Sequence, residues 1–141
     1  MTFPINWMNI LFVCKYNKFR SKVAEALFNY HNKDKKMKVK SAGLMKDFQN
    51  QFIIKPAALE LTKRKIPYED KKSDIINPEM IKWADKIVVV ANDIPMYSLP
   101  EEKTLFFSIP DAYSSPEETK KTVSPIEKLV LDLIRNMSRR S

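Results

Sequence analysis

The chain has one cysteine, one glycine and one histidine in 141 residues. A single cysteine excludes an internal disulfide, and an unpaired thiol suits a reducing cytoplasm. So little glycine leaves no Gly/Ser linker. No repeat or low-complexity stretch divides the chain either, so 1–141 reads as a single domain with one core. Long apolar runs are missing. Ile10 to Cys14 and Ile87 to Ala91 are the longest, far below the roughly 20 residues that span a bilayer. Met1 to Met8 lacks the basic segment followed by an apolar stretch that marks a signal peptide. No zinc-ligand spacing is present, and neither a metal nor a cofactor is expected.

What the chain has in excess is positive charge, +8 at neutral pH. That favours anionic partners. The densest run is Lys33–Lys40 (Lys-Asp-Lys-Lys-Met-Lys-Val-Lys). No recognition-helix pattern or aromatic RNA signature accompanies it, so a solvated lysine surface is the first reading and nucleic-acid binding a distant alternative.

Hydrophobic spacing alternates strands with helices. Asn9 to Val13 reads as a buried strand, and Ser21 to His31 as a helix with Val23, Ala26, Leu27 and Tyr30 on its apolar face. Met37, Val39 and Ser41 alternate with lysines as a second strand. Lys55-Pro56 opens a helix that Ile66-Pro67 ends, and Asn77-Pro78 caps a short one. Lys86 to Ala91 is a β-branched run that implies cover on both faces, and Thr104 to Ser108 is a fourth strand. Ser124-Pro-Ile-Glu127 has the form of a capping box that opens the last helix, with Leu129, Val130, Ile134 and Met137 as its buried stripe; Ser115-Pro-Glu-Glu118 is a shorter start of the same kind. This alternation predicts an α/β fold with a parallel sheet and right-handed crossovers. Ligands of such sheets sit beyond the carboxyl ends of the strands. Cys14 lies at the end of the first strand and Asp111 just past the fourth, on one rim.

The segment Cys14-Lys-Tyr-Asn-Lys-Phe-Arg20-Ser21 joins a strand to a helix N-terminus. Its backbone amides, the helix dipole and the Arg20 guanidinium suit a tetrahedral oxyanion. The same charges favour a Cys14 thiolate, the nucleophilic form. The planar fork of Arg20 can hold two oxygens of a bound phosphate. Asn17 tolerates the left-handed backbone that such a loop needs. Asp111 is a candidate general acid. Tyr113 and Phe48 are either walls for an aromatic leaving group or ordinary packing, and Asp93, in the turn after the best strand, either supports the site or simply shapes the turn. His31 reads as a cap or surface residue, and Trp83 as packing. Lys15 and Lys18 are either solvent-exposed or selective for substrates with extra negative charge.

These residues resemble the phosphate loop of the low-molecular-weight protein tyrosine phosphatases and the related thiol-dependent arsenate reductases. That loop reads Cys, two residues, Asn, two residues, Arg, Ser. Ser41-Ala-Gly43, Ala84-Asp85 before the Lys86 strand and Pro110-Asp111-Ala-Tyr113 resemble further segments of the family, in the same order. The resemblance implies a three-layer, doubly wound parallel sheet of four strands in the order 2-1-3-4, with helices on both faces. It implies a phosphate loop of Lys15, Tyr16, Asn17, Lys18, Phe19 and Ser21 between Cys14 and Arg20. Cys14 would form a phosphocysteine, Arg20 bind the phosphoryl oxygens, and Ser21 hydrogen-bond the sulfur. Asn17 would shape the loop with Ser41 as its partner. Asp111 would protonate the leaving oxygen and then activate water, and Tyr113 would line the cleft mouth. Three positions depart from the family pattern: Tyr16 stands where glycine is common, Phe19 where many members have a second cysteine, and Ala112 where proline usually follows the acid.

The expected activity is hydrolysis of phosphate monoesters, with a phosphorylated protein or small phosphate ester as substrate and inorganic phosphate or a related oxyanion as product or inhibitor. The alternatives are arsenate reduction with an external thiol, since Cys14 has no second thiol to help it, and a non-catalytic phosphate-binding or phosphoryl-carrier module.

Overall fold

Strand β1, Met8–Cys14, is the axis of the molecule. It pairs in parallel with β2, Met37–Gly43, on one side and with β3, Lys86–Val90, on the other. Strand β4, Thr104–Phe107, extends the sheet beyond β3, giving the order β2-β1-β3-β4. The computed structural model describes residues 7–138. Four consecutive residues of β1, Ile10 to Val13, and four of β3, Ile87 to Val90, are fully buried. Successive strand side chains point to opposite faces, so the sheet is covered on both.

The helices are α1, Arg20–His31, α2, Lys55–Lys63, α3, Pro78–Trp83, and α4, Pro116–Ser138. The path winds from β1 outward to β2, then returns across β1 to β3. With right-handed crossovers that reversal sends α1 and α3 to opposite faces. α1 packs on α4 and α3 reaches β1. The reversal also leaves a switch point at the carboxyl ends of β1 and β3, where the chain runs into the Cys14–Arg20 loop.

Several elements differ from the sequence reading. α4 is one helix from Pro116, with Pro125 inside it. Its start is Ser115-Pro-Glu-Glu118: Ser115 Oγ accepts from Glu118 N at 3.1 Å, and Glu118 Oε1 accepts from Ser114 N at 2.7 Å. Ser124 and Glu127 do not cap; Ser124 Oγ accepts from Arg64, and the Glu127 carboxylate is shared by Arg64 and His31. Proline removes one backbone hydrogen bond, but Val123, Ile126, Leu129, Val130 and Leu133 bury one continuous face across it. Tyr30 turns outward, 43% exposed, while Ala24 and Phe28 are buried in its place. α2 stops at Lys63 rather than at Pro67. Lys65 takes a left-handed φ of 61°, Lys65 N donates to Thr62 O and Ile66 N donates to Leu61 O. That is a Schellman ending with lysine where glycine is usual.

Candidate active site

Cys14 ends β1 with its side chain 2% exposed. The ladder continues past both strands into the following loops: Leu44 N donates to Cys14 O and Met45 N to Lys15 O. Ile54 N donates to Lys18 O at 2.8 Å. The Cys14–Arg20 loop is therefore held along its length by residues 44–54.

Asn17 is the pivot. It has φ 55°, the left-handed conformation, and is 1% exposed. Its Nδ2 donates to Ser21 Oγ at 2.7 Å and to Ser41 Oγ at 3.0 Å, and its Oδ1 accepts from Asp74 N at 3.0 Å. Ser73 Oγ donates to Asn17 O. Tyr16 is outside the positive-φ region, so a non-glycine residue there carries no backbone strain. The smallness that the loop needs sits on its neighbour. A Cβ added to Gly43 would lie 2.7 Å from Tyr16 C and 2.8 Å from Asn17 N.

The sulfur faces two donors, Ser21 Oγ at 3.0 Å and Ser21 N at 3.4 Å. Ser41 Oγ in turn donates to Glu25 Oε1, and Lys71 Nζ pairs with Glu25 Oε2 at 2.8 Å. A buried chain thus runs from Cys14 through Ser21, Asn17 and Ser41 to a carboxylate neutralised by Lys71. Glu25, Lys71, Ser73 and Asp74 were not anticipated from sequence. For Glu25 the signal was there: an acid flanked by Val23, Ala24, Ala26 and Leu27 in a buried helix needs a polar partner.

Arg20, the first residue of α1, is 1% exposed. Nη1 donates to Ile109 O at 2.8 Å and Nη2 to Asp93 at 3.1 Å, while Asp111 Oδ1 stands 3.6 Å from Nε. Two carboxylates and a carbonyl compensate one buried cation. Among the described residues Arg20 Nε alone is a buried side-chain donor without a hydrogen-bond partner. Arg20 lines a small recess together with Cys14, Tyr16, Lys18, Phe19 and Asp111. A larger cleft of about 440 Å³ lies beside Lys22 and Glu25, and Cys14 does not line it.

The segment that carries Asp111 is pinned despite Ala112. Ala112 O accepts from Thr122 Oγ1 at 2.7 Å, and Tyr113 packs edge-on against buried Phe19 with ring centroids 5.4 Å apart. Phe19 thus joins the Cys14–Arg20 loop to the Asp111 side. Lys18 is tied to Asp47 at 2.6 Å. Burial alone would pull Lys18 down, but the hydrogen bond and charge of Asp47 outweigh it and hold its pKa above the ordinary value. Lys15 reaches over the Tyr16 ring instead. Phe48 is 82% exposed and outside the recess, and His31 pairs with Glu127 on the far side. Among the described residues no group of three or more His, Cys, Asp or Glu side chains could hold a metal ion, and no helix is long and apolar enough to cross a membrane.

Residues 9–140 match the family described as low molecular weight phosphotyrosine protein phosphatase. Comparison with curated proteins finds no match. Among solved structures the chain is similar to a low molecular weight protein tyrosine phosphatase from T. tengcongensis, with 27% identity, TM-score 0.80, and coverage of 92% of this chain and 99% of that one. It is similar to an arsenate reductase from Archaeoglobus fulgidus, with 27% identity, TM-score 0.71, and coverage of 89% and 98%. It shares its fold with the YwlE arginine phosphatase from Geobacillus stearothermophilus, with 23% identity, TM-score 0.81, and coverage of 94% of each chain.

Proposed function

The chain belongs to the low molecular weight phosphotyrosine protein phosphatase family, and we propose that it hydrolyses phosphate monoesters, protein phosphotyrosine first among them, through a phosphocysteine on Cys14. The observation that carries the reading is the recess: a thiol, a buried guanidinium with one free donor and a carboxylate line the same small space. A phosphoryl group there would give Arg20 Nε the acceptor it lacks.

In the proposed sequence the Cys14 thiolate attacks phosphorus in line with the ester oxygen. The P–O bond breaks as the S–P bond forms, and Asp111 gives its proton to the leaving oxygen. Water then attacks the phosphocysteine, Asp111 takes a proton from it, and the S–P bond breaks to release phosphate and thiolate. Such transfer passes through a loose transition state, so catalysis comes mainly from positioned charge: Arg20 and the loop amides. Ser21 stabilises the sulfur both as attacking anion and as leaving group. The lone thiol fits a reducing, cytoplasmic setting. Hydrolysis of p-nitrophenyl phosphate across pH by the wild type, Cys14→Ser and Asp111→Asn tests the reading. An active Cys14→Ser protein would refute it.

Arsenate reduction is the second reading, supported by the likeness to the Archaeoglobus fulgidus enzyme. Arsenate has the shape and charge of phosphate and would enter the same recess. With one cysteine in the chain, an external dithiol would have to reduce the resulting cysteine–arsenic adduct. Arsenate-dependent oxidation of a thioredoxin-type dithiol separates the two activities.

A further inference from the structure

The rim outside the recess has a charge pattern of its own. Tyr16 lines the recess, and its ring lies under two ammonium groups, those of Lys15 and Lys18, each 5.3 Å from its centroid. Lys18 is neutralised by Asp47. Lys15 and Lys46 have no carboxylate partner among the described residues. Lys46 is brought to the same rim by the ladder bond from Met45 N to Lys15 O. The segment between that bond and the one from Ile54 N to Lys18 O turns its large apolar side chains outward: Met45 is 52% exposed, Phe48 82% and Phe52 46%. Lys46 Nζ lies 5.4 Å above the Phe48 ring. A tethered loop thus presents unpaired cations interleaved with exposed apolar surface alongside the Cys14–Arg20 loop.

We propose that this rim, formed by Lys15, Tyr16, Lys46 and Phe48, receives the residues flanking the phosphorylated side chain of a protein substrate, and that it selects flanks that are acidic with an apolar residue among them. Carboxylates of the flank meet the unpaired ammonium groups, and an apolar side chain covers Phe48. The Lys18–Asp47 pair contributes no net charge; it braces the loop that holds the other two. The inference rests on the phosphatase reading for the phosphorylated residue but not for the flank. Each exposed ion pair adds about 0.2–1 kcal/mol, so two together give roughly a 2- to 30-fold preference, one that fades with salt.

The test is binding to the Cys14→Ser protein, followed by fluorescence anisotropy. The probes are phosphotyrosyl peptides with Asp/Glu or Ala flanks, and a single-stranded oligonucleotide of equal charge. The acidic peptide should bind several-fold tighter than the alanine peptide at low salt, the gap should narrow at high salt, and Lys46→Glu should close it. Equal binding of the two peptides, or a gap that Lys46→Glu leaves intact, overturns the proposal. Binding of the oligonucleotide as tight as that of the acidic peptide overturns the commitment to a protein partner. Hydrolysis of p-nitrophenyl phosphate by the wild type is scored separately. A peptide preference without hydrolysis leaves the surface standing and removes the phosphatase reading; hydrolysis without preference does the reverse.

Discussion

Cys14 Sγ and Ser21 Oγ stand 3.0 Å apart, and a third residue sets the direction of the hydrogen bond between them. Ser21 Oγ already accepts from Asn17 Nδ2. The hydroxyl is fully buried, so its own proton needs an acceptor, and Cys14 Sγ is the one within reach among the described residues. Asn17 therefore aims the Ser21 proton at sulfur. Ser21→Ala should lower kcat about 10- to 100-fold, the worth of one hydrogen bond to a charged group, with KM for small esters changed much less. Steady-state kinetics with p-nitrophenyl phosphate reads the split; an equal change in both parameters would contradict it.

Asp111 faces the recess from the opposite side, 3.6 Å from Arg20 Nε. Asp111→Asn should slow alkyl phosphates by about 10²–10⁴-fold, the usual range for general acid–base catalysis. Aryl phosphates, whose leaving groups need less protonation, should slow less. The ratio of the two substrate classes, measured on wild type and variant, checks this.

Gly43→Ala places a methyl against the backbone of Tyr16 and Asn17, at 2.7 and 2.8 Å. Neither contact is a flexible side-chain end, so the loop must shift. The expected cost is about 1–3 kcal/mol, as for overpacking elsewhere, together with weaker phosphate inhibition. Urea unfolding and phosphate inhibition constants measure the two effects; wild-type values in both would show that the loop yields freely.

The Lys18–Asp47 pair predicts a pH dependence. The hydrogen bond from Lys18, helped by the Gln49 amide, holds the Asp47 pKa below its ordinary 3.8. The folded state then binds fewer protons at Asp47 than the unfolded state does. The stabilisation is complete above the ordinary value and is lost as pH falls through the depressed one. Lys18 is raised above 10.5, so its share is complete below that value and is lost as pH rises through the raised one. Asp47→Asn should be less stable than wild type at neutral pH, and the difference should shrink as pH falls below 3.8. Urea titrations stepped from neutral to acid pH follow it; a difference that stays constant throughout would rule it out.

Peroxide should oxidise Cys14 to a sulfenic acid, with water as the other product. No other cysteine exists in the chain to trap the sulfenic acid. Further peroxide then carries the sulfur to sulfinic acid, which reductants do not reverse. Activity should not return with dithiothreitol after strong treatment, and phosphate in the recess should slow the loss. Full recovery would count against this.

The strands themselves and the Cys14–Arg20 loop were legible because both rest on local signals: β-branched runs, a thiol at a strand end and an asparagine where a left-handed residue is needed. The order of the strands is a long-range property and was expected only from the family resemblance. The end of α2 was not. Its stop depends on Lys65 adopting a conformation that lysine seldom takes, and Pro67 was the louder signal. The start of α4 was misread because Ser124-Pro-Ile-Glu127 has the form of a cap, whereas its side chains serve Arg64 and His31 across helix contacts. The Glu25–Lys71 pair joins residues far apart in the chain, which no local pattern connects. Asp93 was balanced between turn and site; its hydrogen bond with Arg20 puts it beside the recess.

Gly43 is the only glycine in the chain, and it lies outside the loop whose shape depends on it. Its backbone is not in the left-handed region, so what it provides is room. Natural drift at that one codon is thereby governed by the contour of a different segment. A lineage descended from this sequence could acquire a side chain at 43 only together with a displacement of the Tyr16 and Asn17 backbone.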